Sequence, residues 1–131
     1  MAYYLDTSAA LKLVVAEKET GAFISWTEGH EGEIVSSDLL RTELLRATRR
    51  GAPDAMPRAR AVLDSITLLT VPTSTFERAA DVDPDLLRGL DALHLAAALE
   101  LGDELDGLLT YDDRLAGAAQ LHGVTVIAPA Y

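Results

Sequence analysis

Short aliphatic runs alternate along the chain with longer stretches whose apolar positions recur every three or four residues. The first pattern has the period of a buried strand and the second that of a helix with one apolar face. Tyr3 to Leu5, Ile34 to Ser36, Ile66 to Val71, Gly107 to Thr110 and Val124 to Ile127 are the expected strands. Ala9 to Val15, Glu19 to Thr27, Asp38 to Arg50, Asp54 to Ser65, Ser74 to Asp81, Leu90 to Leu101 and Arg114 to His122 are the expected helices. Thr7 or Ser8 is placed to cap the first helix and Ser36 or Ser37 the third, while Gly51-Ala52-Pro53, Gly102 and Gly123 are stop signals. Leu90 to Leu101 is apolar on several sides and is expected to be buried between neighbours. Alternating strands and helices predict an α/β fold, a single three-layer α/β/α domain with a mostly parallel central sheet of four to five strands. No repeat, low-complexity tract or linker divides the 131 residues, a length usual for one domain.

Composition narrows the chemistry. Apolar residues make up 49% and aromatics only 5%, so the core must be built from Leu, Ala, Val and Ile. The absence of cysteine removes disulfides, thiolate zinc sites and Cys nucleophiles together. The first apolar run is broken by Asp6 and Lys12, and no run approaches the roughly 20 residues that span a bilayer. A soluble cytoplasmic protein with no membrane partner is expected. A net charge of -10 argues against a general basic field for nucleic acid. RNA or DNA would have to be held by a local patch or through bound cations, and an acidic surface also suits a basic protein partner.

Four acids stand at unusual places. Asp6 ends the first strand and Asp112 the fourth, at the carboxyl edge where open α/β sheets bind ligands. Glu43 interrupts the apolar stripe of Leu39, Leu40 and Ala47, where a charge is costly unless something neutralises it. Asp91 opens the apolar helix. Singly, each has an ordinary explanation: Asp6, Asp91 and Asp112 as helix caps, Glu43 as the partner of Arg46 or Arg50. Jointly they suggest one carboxylate cluster.

Four blocks sharpen this: Leu5-Asp6-Thr7-Ser8-Ala9-Ala10-Leu11, Ser36-Ser37-Asp38-Leu39-Leu40-Arg41-Thr42-Glu43, Leu90-Asp91-Ala92-Leu93-His94-Leu95-Ala96-Ala97-Ala98 and Leu109-Thr110-Tyr111-Asp112-Asp113-Arg114-Leu115. In these blocks and their order the chain resembles the PIN-domain family, specifically the VapC-type toxins of bacterial toxin–antitoxin operons. The resemblance implies a catalytic metal site of Asp6, Glu43, Asp91 and Asp112, with Thr7, Ser8 and Thr110 as neighbours and Asp113 competing with Asp112. It implies an endoribonuclease leaving 5′-phosphate and 3′-hydroxyl ends, a cognate VapB-type antitoxin and a homodimer.

The chemistry explains why acids would be needed. Divalent cations acidify water and bridge phosphate oxygens, and Mg²⁺ or Mn²⁺ favours oxygen ligands. Asp6 and Asp91 are expected to hold the principal ion, with Glu43 and Asp112 completing a second site or orienting water. Two carboxylates 4 Å apart repel by about 4 kcal/mol at an effective dielectric near 20. Neutralising Asp6 or Asp91 is therefore expected to leave the metal-free fold as stable or more so.

RNA would be gripped by Arg46, Arg49 and Arg50, with Arg58 and Arg60 nearby, although the first three also complement the negative end of their helix. Arg114 is placed to pair with an acid at the site, and His94 reads as a packed or hydrogen-bonded structural histidine. A response-regulator phosphoacceptor would need a late lysine, whereas the lysines are Lys12 and Lys18. Asp6-Thr7-Ser8 lacks the second acid of an Asp-x-Asp phosphatase, and no Gly-x-Ser-x-Gly elbow exists. The competing reading is a non-catalytic PIN-like interaction module.

Overall fold

The computed structural model describes residues 1–131. In chain order the strands are β1 (Ala2–Leu5), β2 (Ile34–Ser37), β3 (Thr67–Leu69), β4 (Leu105–Leu109) and β5 (Val126–Ile127). The helices are α1 (Thr7–Val14), α2 (Thr20–Glu28), α3 (Asp38–Gly51), α4 (Met56–Asp64), α5 (Thr73–Asp81), α6 (Gly89–Leu99) and α7 (Asp113–Leu121). All strand pairs are parallel, in the order β3-β2-β1-β4-β5. The expected α/β/α architecture is the observed one.

Each central strand feeds both layers, because successive side chains point to opposite faces of a sheet. Tyr4 and Leu108 join Leu95, Ala96, Leu115 and Ala119 under α5, α6 and α7. Leu5 and Leu109 join Phe23, Leu40, Leu44 and Leu63 under α1 to α4. Truncating a fully buried leucine such as Leu95 to Ala would cost about 2–5 kcal/mol. The sheet's outer strands are short. β3 covers three residues of the expected Ile66–Val71 and β5 only two of Val124–Ile127, so little unpaired backbone is offered at either edge. The expected helix from Asp54 begins instead as a 3₁₀ turn, Pro53–Ala55, before α4. No helix is long and apolar enough to cross a membrane.

The strand order reverses direction at β1, which has β2 on one side and β4 on the other. Crevices open at the carboxyl ends of strands where an α/β sheet switches in this way. The register Leu5↔Leu109 brings the next residues, Asp6 and Thr110, side by side at that place.

Of the capping expectations, those for Asp6 and Asp112 hold, and those for Asp91, Thr7, Ser8, Ser36 and Ser37 need correction. Asp6, and neither Thr7 nor Ser8, caps α1, its Oδ1 accepting the Ala9 amide at 2.9 Å. Ser37 occupies the N-cap position of α3, but its hydroxyl makes no capping bond and lies 2.8 Å from Tyr4 Oη. Ser36 donates to the Leu5 carbonyl at 2.6 Å. In both serines the hydroxyl bonds a buried group of the neighbouring strand β1 instead of a helix amide.

Candidate active site at the strand switch point

Asp6 is only 3% exposed, and donors surround it. Besides the Ala9 amide, it accepts the Ser8 hydroxyl at 2.8 Å and the Thr110 hydroxyl at 2.5 Å. Burial still pushes its carboxyl above the ordinary range, against the opposing pull of those bonds. Thr110 passes the connection on. Its oxygen also accepts the Asp112 amide at 3.0 Å, so one hydroxyl ties the end of β1 to the start of α7. Asp112 caps α7, with Oδ1 accepting the Arg114 and Leu115 amides at 2.9 and 3.1 Å.

Asp91 is the opposite case. It sits in the first turn of α6, half-buried, and no protein group donates a hydrogen bond to it. Burial raises its pKa first and the charges of Asp112 and Glu43 add to that, while His94 and Arg88 pull the other way without cancelling the rise. Glu43 faces it from α3 across a cavity of about 610 Å³ that both residues line with Phe76, Arg88 and Leu90. Glu43 takes the Thr7 hydroxyl on Oε1 at 2.9 Å, and His94 Nε2 bonds the same oxygen. Burial alone would raise Glu43, but the bonds from His94 and Thr7 prevail and hold it below the usual glutamate range. Neither Arg46 nor Arg50 is its partner.

The expected acids are thus connected in sequence. Thr110 links Asp6 to Asp112, Asp112 acts on Asp91, and Asp91 shares its cavity with Glu43. Asp6 and Asp112 do not line that cavity. No three acidic or histidine groups stand at ligand spacing, so a cation here would be held by one or two carboxylates and its own waters. The donor set fits that role. Asp91 is a carboxylate with a raised pKa and no hydrogen-bond donor, and the carboxylate oxygens of Asp91 and Glu43 are ligands that suit Mg²⁺ or Mn²⁺. Asp113 is exposed and turns to a separate hollow lined by Pro84, Arg114 and Leu121.

Several basic residues differ from expectation. Arg46, Arg49 and Arg50 are exposed, have no ion-pair partner and alone line a cavity of about 340 Å³. Arg46 also borders a trough that runs past Thr42 and Phe76 to Glu43. Arg58 is committed to structure, its Nε donating to the Leu13 carbonyl at 2.6 Å. Arg114 pairs with no acid. The residue that sequence reasoning undervalued is His94, which is buried as expected but bonded to Glu43. Its signal was spacing: three residues after Asp91, it shares one helical face with that acid.

A model of the PIN domain matches residues 3–121. Ribonuclease VapC46 of Mycobacterium tuberculosis is 41% identical over 128 residues, covering 98% of both chains. The crystal structure of VapC20 of Mycobacterium tuberculosis, described as a sarcin-ricin loop cleaving toxin, superposes with a TM-score of 0.75 at 16% identity, over 89% of this chain and 95% of its own. A toxin-antitoxin complex from Klebsiella pneumoniae reaches a TM-score of 0.73 at 20% identity over 98% of both chains. At such identities the two structures carry the fold alone. Family membership rests on the domain match and on the full-length relative, and the chain belongs to the PIN-domain family, in its VapC group.

Proposed function

We propose that the protein is a Mg²⁺- or Mn²⁺-dependent endoribonuclease, the toxin of a type II toxin–antitoxin pair, acting in the cytoplasm. The observation that carries this reading is Asp91, a half-buried carboxylate set against Asp112 and Glu43 with no donor of its own. Arg88 and His94 offset only part of that burden, whereas a site shaped for stability alone would pair the carboxylate directly. Asp6, Glu43, Asp91 and Asp112 are the acids of the catalytic site, and of these Asp91 and Glu43 line the cavity where a divalent ion would be held. A bound divalent ion supplies an acidified water and charge neutralisation at the phosphate.

The protein's own groups do the rest. Asp91 and Glu43 both line the open cavity, and Oε2 of Glu43 has no protein partner, so these carboxylates are the ones offered to a cation or its waters. Asp6 holds the floor of the site, pinned by Ser8 and Thr110, and Thr7 steadies Glu43. Thr7, Ser8 and Thr110 therefore act through the acids, and direct contact with substrate falls to the arginines. Arg46, Arg49 and Arg50 take backbone phosphates, and the trough from Arg46 to Glu43 leads the strand to the acids. A chain with net charge -10 needs such a local patch to hold RNA.

The resemblance to the VapC46 ribonuclease and to a toxin-antitoxin complex supports a cognate VapB-type antitoxin and an RNA substrate. A homodimer belongs to the same proposal and is checked by light scattering on the purified toxin. The decisive assay incubates antitoxin-free protein with total RNA in Mn²⁺ or in EDTA. Discrete fragments with 5′-phosphate ends, formed only with the metal, are expected. No cleavage across several RNA classes would leave the non-catalytic interaction module as the better account.

A further inference from the structure

Glu43 is held by hydrogen bonds that begin in the middle of the sheet. Tyr4, on the central strand, is fully buried, and its hydroxyl stands 2.8 Å from both Ser37 Oγ and His94 Nδ1. The two rings meet edge to face with centroids 5.7 Å apart, so the imidazole is fixed by packing as well as by its bond. Its other nitrogen reaches Glu43 Oε1. An ionised carboxylate only accepts, so Nε2 carries the proton of that contact. Thr7 donates to the same oxygen, which commits Oε1 to two protein donors and leaves Oε2 with none.

A free glutamate side chain samples many rotamers, and a site that must hold an ion or a water needs that freedom removed. Building on the reading of Glu43 as a site acid, we infer that His94 is a positioning residue: braced by Tyr4, it holds Glu43 Oε1 so that Oε2 is presented to the cavity shared with Asp91. His94 itself touches neither ion nor RNA. It is 2% exposed and does not line that cavity. Its effect passes through Glu43, in the way that partners behind a ligand orient it.

The test is Mn²⁺ binding to purified, metal-stripped protein by calorimetry, with melting in EDTA measured alongside. His94→Asn and His94→Gln remove the same ring, but they differ in reach. Glutamine places an amide nitrogen near the position of Nε2 and keeps a donor for Glu43; asparagine ends on the Tyr4 side. His94→Asn should weaken Mn²⁺ binding by about 10- to 100-fold, the usual range for such partners, and His94→Gln should recover most of that loss. Should His94→Asn fail to fold, Tyr4→Phe carries the test, with a smaller weakening expected in the same direction.

Wild-type affinity in His94→Asn, or in Tyr4→Phe where that variant stands in, overturns the inference while sparing the metal reading. Equal losses in the Asn and Gln variants that track melting temperature also overturn it, because a merely structural histidine behaves that way. Absence of Mn²⁺ binding in the wild type overturns the metal reading and the inference together.

Discussion

Asp6 and Asp91 carry the same functional group and receive opposite treatment. Asp6 is buried, caps a helix and accepts the Ala9 amide and the Ser8 and Thr110 hydroxyls. Asp91 is half-buried, caps nothing and accepts none. Both carboxyls are raised above the ordinary range by burial, but only Asp6 has hydrogen bonds that pull the other way. The difference teaches that one acid of the site is also part of the scaffold, while the other is left unsatisfied by the fold and available to something from outside.

Four measurements test that contrast. Activity should not distinguish the two acids. Asp6→Ala and Asp91→Asn should each lower the cleavage rate by at least about a hundredfold, the scale of losing one preorganised electrostatic partner. Near wild-type rates from Asp91→Asn in a fluorescent RNA assay would remove it from the site.

Stability should separate them. In EDTA, Asp6→Ala should cost about 1–3 kcal/mol, since it removes the α1 cap and leaves the Thr110 and Ser8 hydroxyls without their acceptor. Asp6→Asn keeps a capping oxygen and removes the buried charge, so it should recover that loss and melt close to the wild type. Asp91→Asn should melt at or above the wild-type temperature at pH 7. The sign follows from linkage: a carboxyl raised in the fold binds its proton more tightly there, so its ionised form is a penalty at neutral pH. That penalty shrinks as the pH falls through the raised value and is gone below the ordinary 3.8, so the wild type and Asp91→Asn should converge in acid. Denaturant melts of the pair across this range would show the convergence or its absence.

A smaller effect is expected behind Asp6. Thr110→Val keeps the shape but deletes the hydroxyl between Asp6 and the Asp112 amide, and should cost roughly 1 kcal/mol in a urea melt. The smallest effect on the fold belongs to the arginines. Arg46→Ala, Arg49→Ala or Arg50→Ala should leave melting unchanged. Each should also flatten the dependence of log affinity on log salt for single-stranded RNA, by about 0.7 for every phosphate no longer neutralised. An unchanged slope in all three would mean that RNA lies elsewhere.

The alternation of strand and helix, and hence the sheet, was readable because apolar spacing is a local property. Asp6, Glu43, Asp91 and Asp112 stood out for the same reason: each breaks a local pattern. What the neighbouring acids lean on was not readable. Asp6 was readable as a cap of α1, but Thr7 and Ser8 were readable too, and the choice depends on which residue first leaves the strand. Glu43 offered Arg46 and Arg50 as helical neighbours, yet its partners are Thr7, 36 residues away, and His94, 51 away. Such pairs follow from the packing of α3 and α6 around β1, which no window of sequence contains.

The placement of β1 between β2 and β4 has a bearing on synthesis. Asp6 is synthesised first, and the strand and hydroxyl that pin it, Leu105–Leu109 and Thr110, emerge about a hundred residues later. A nascent polypeptide therefore holds no finished pocket until the fourth strand and Thr110 have been made. For the RNA-cutting activity proposed above, this ordering delays the hazard until β4 has joined the sheet.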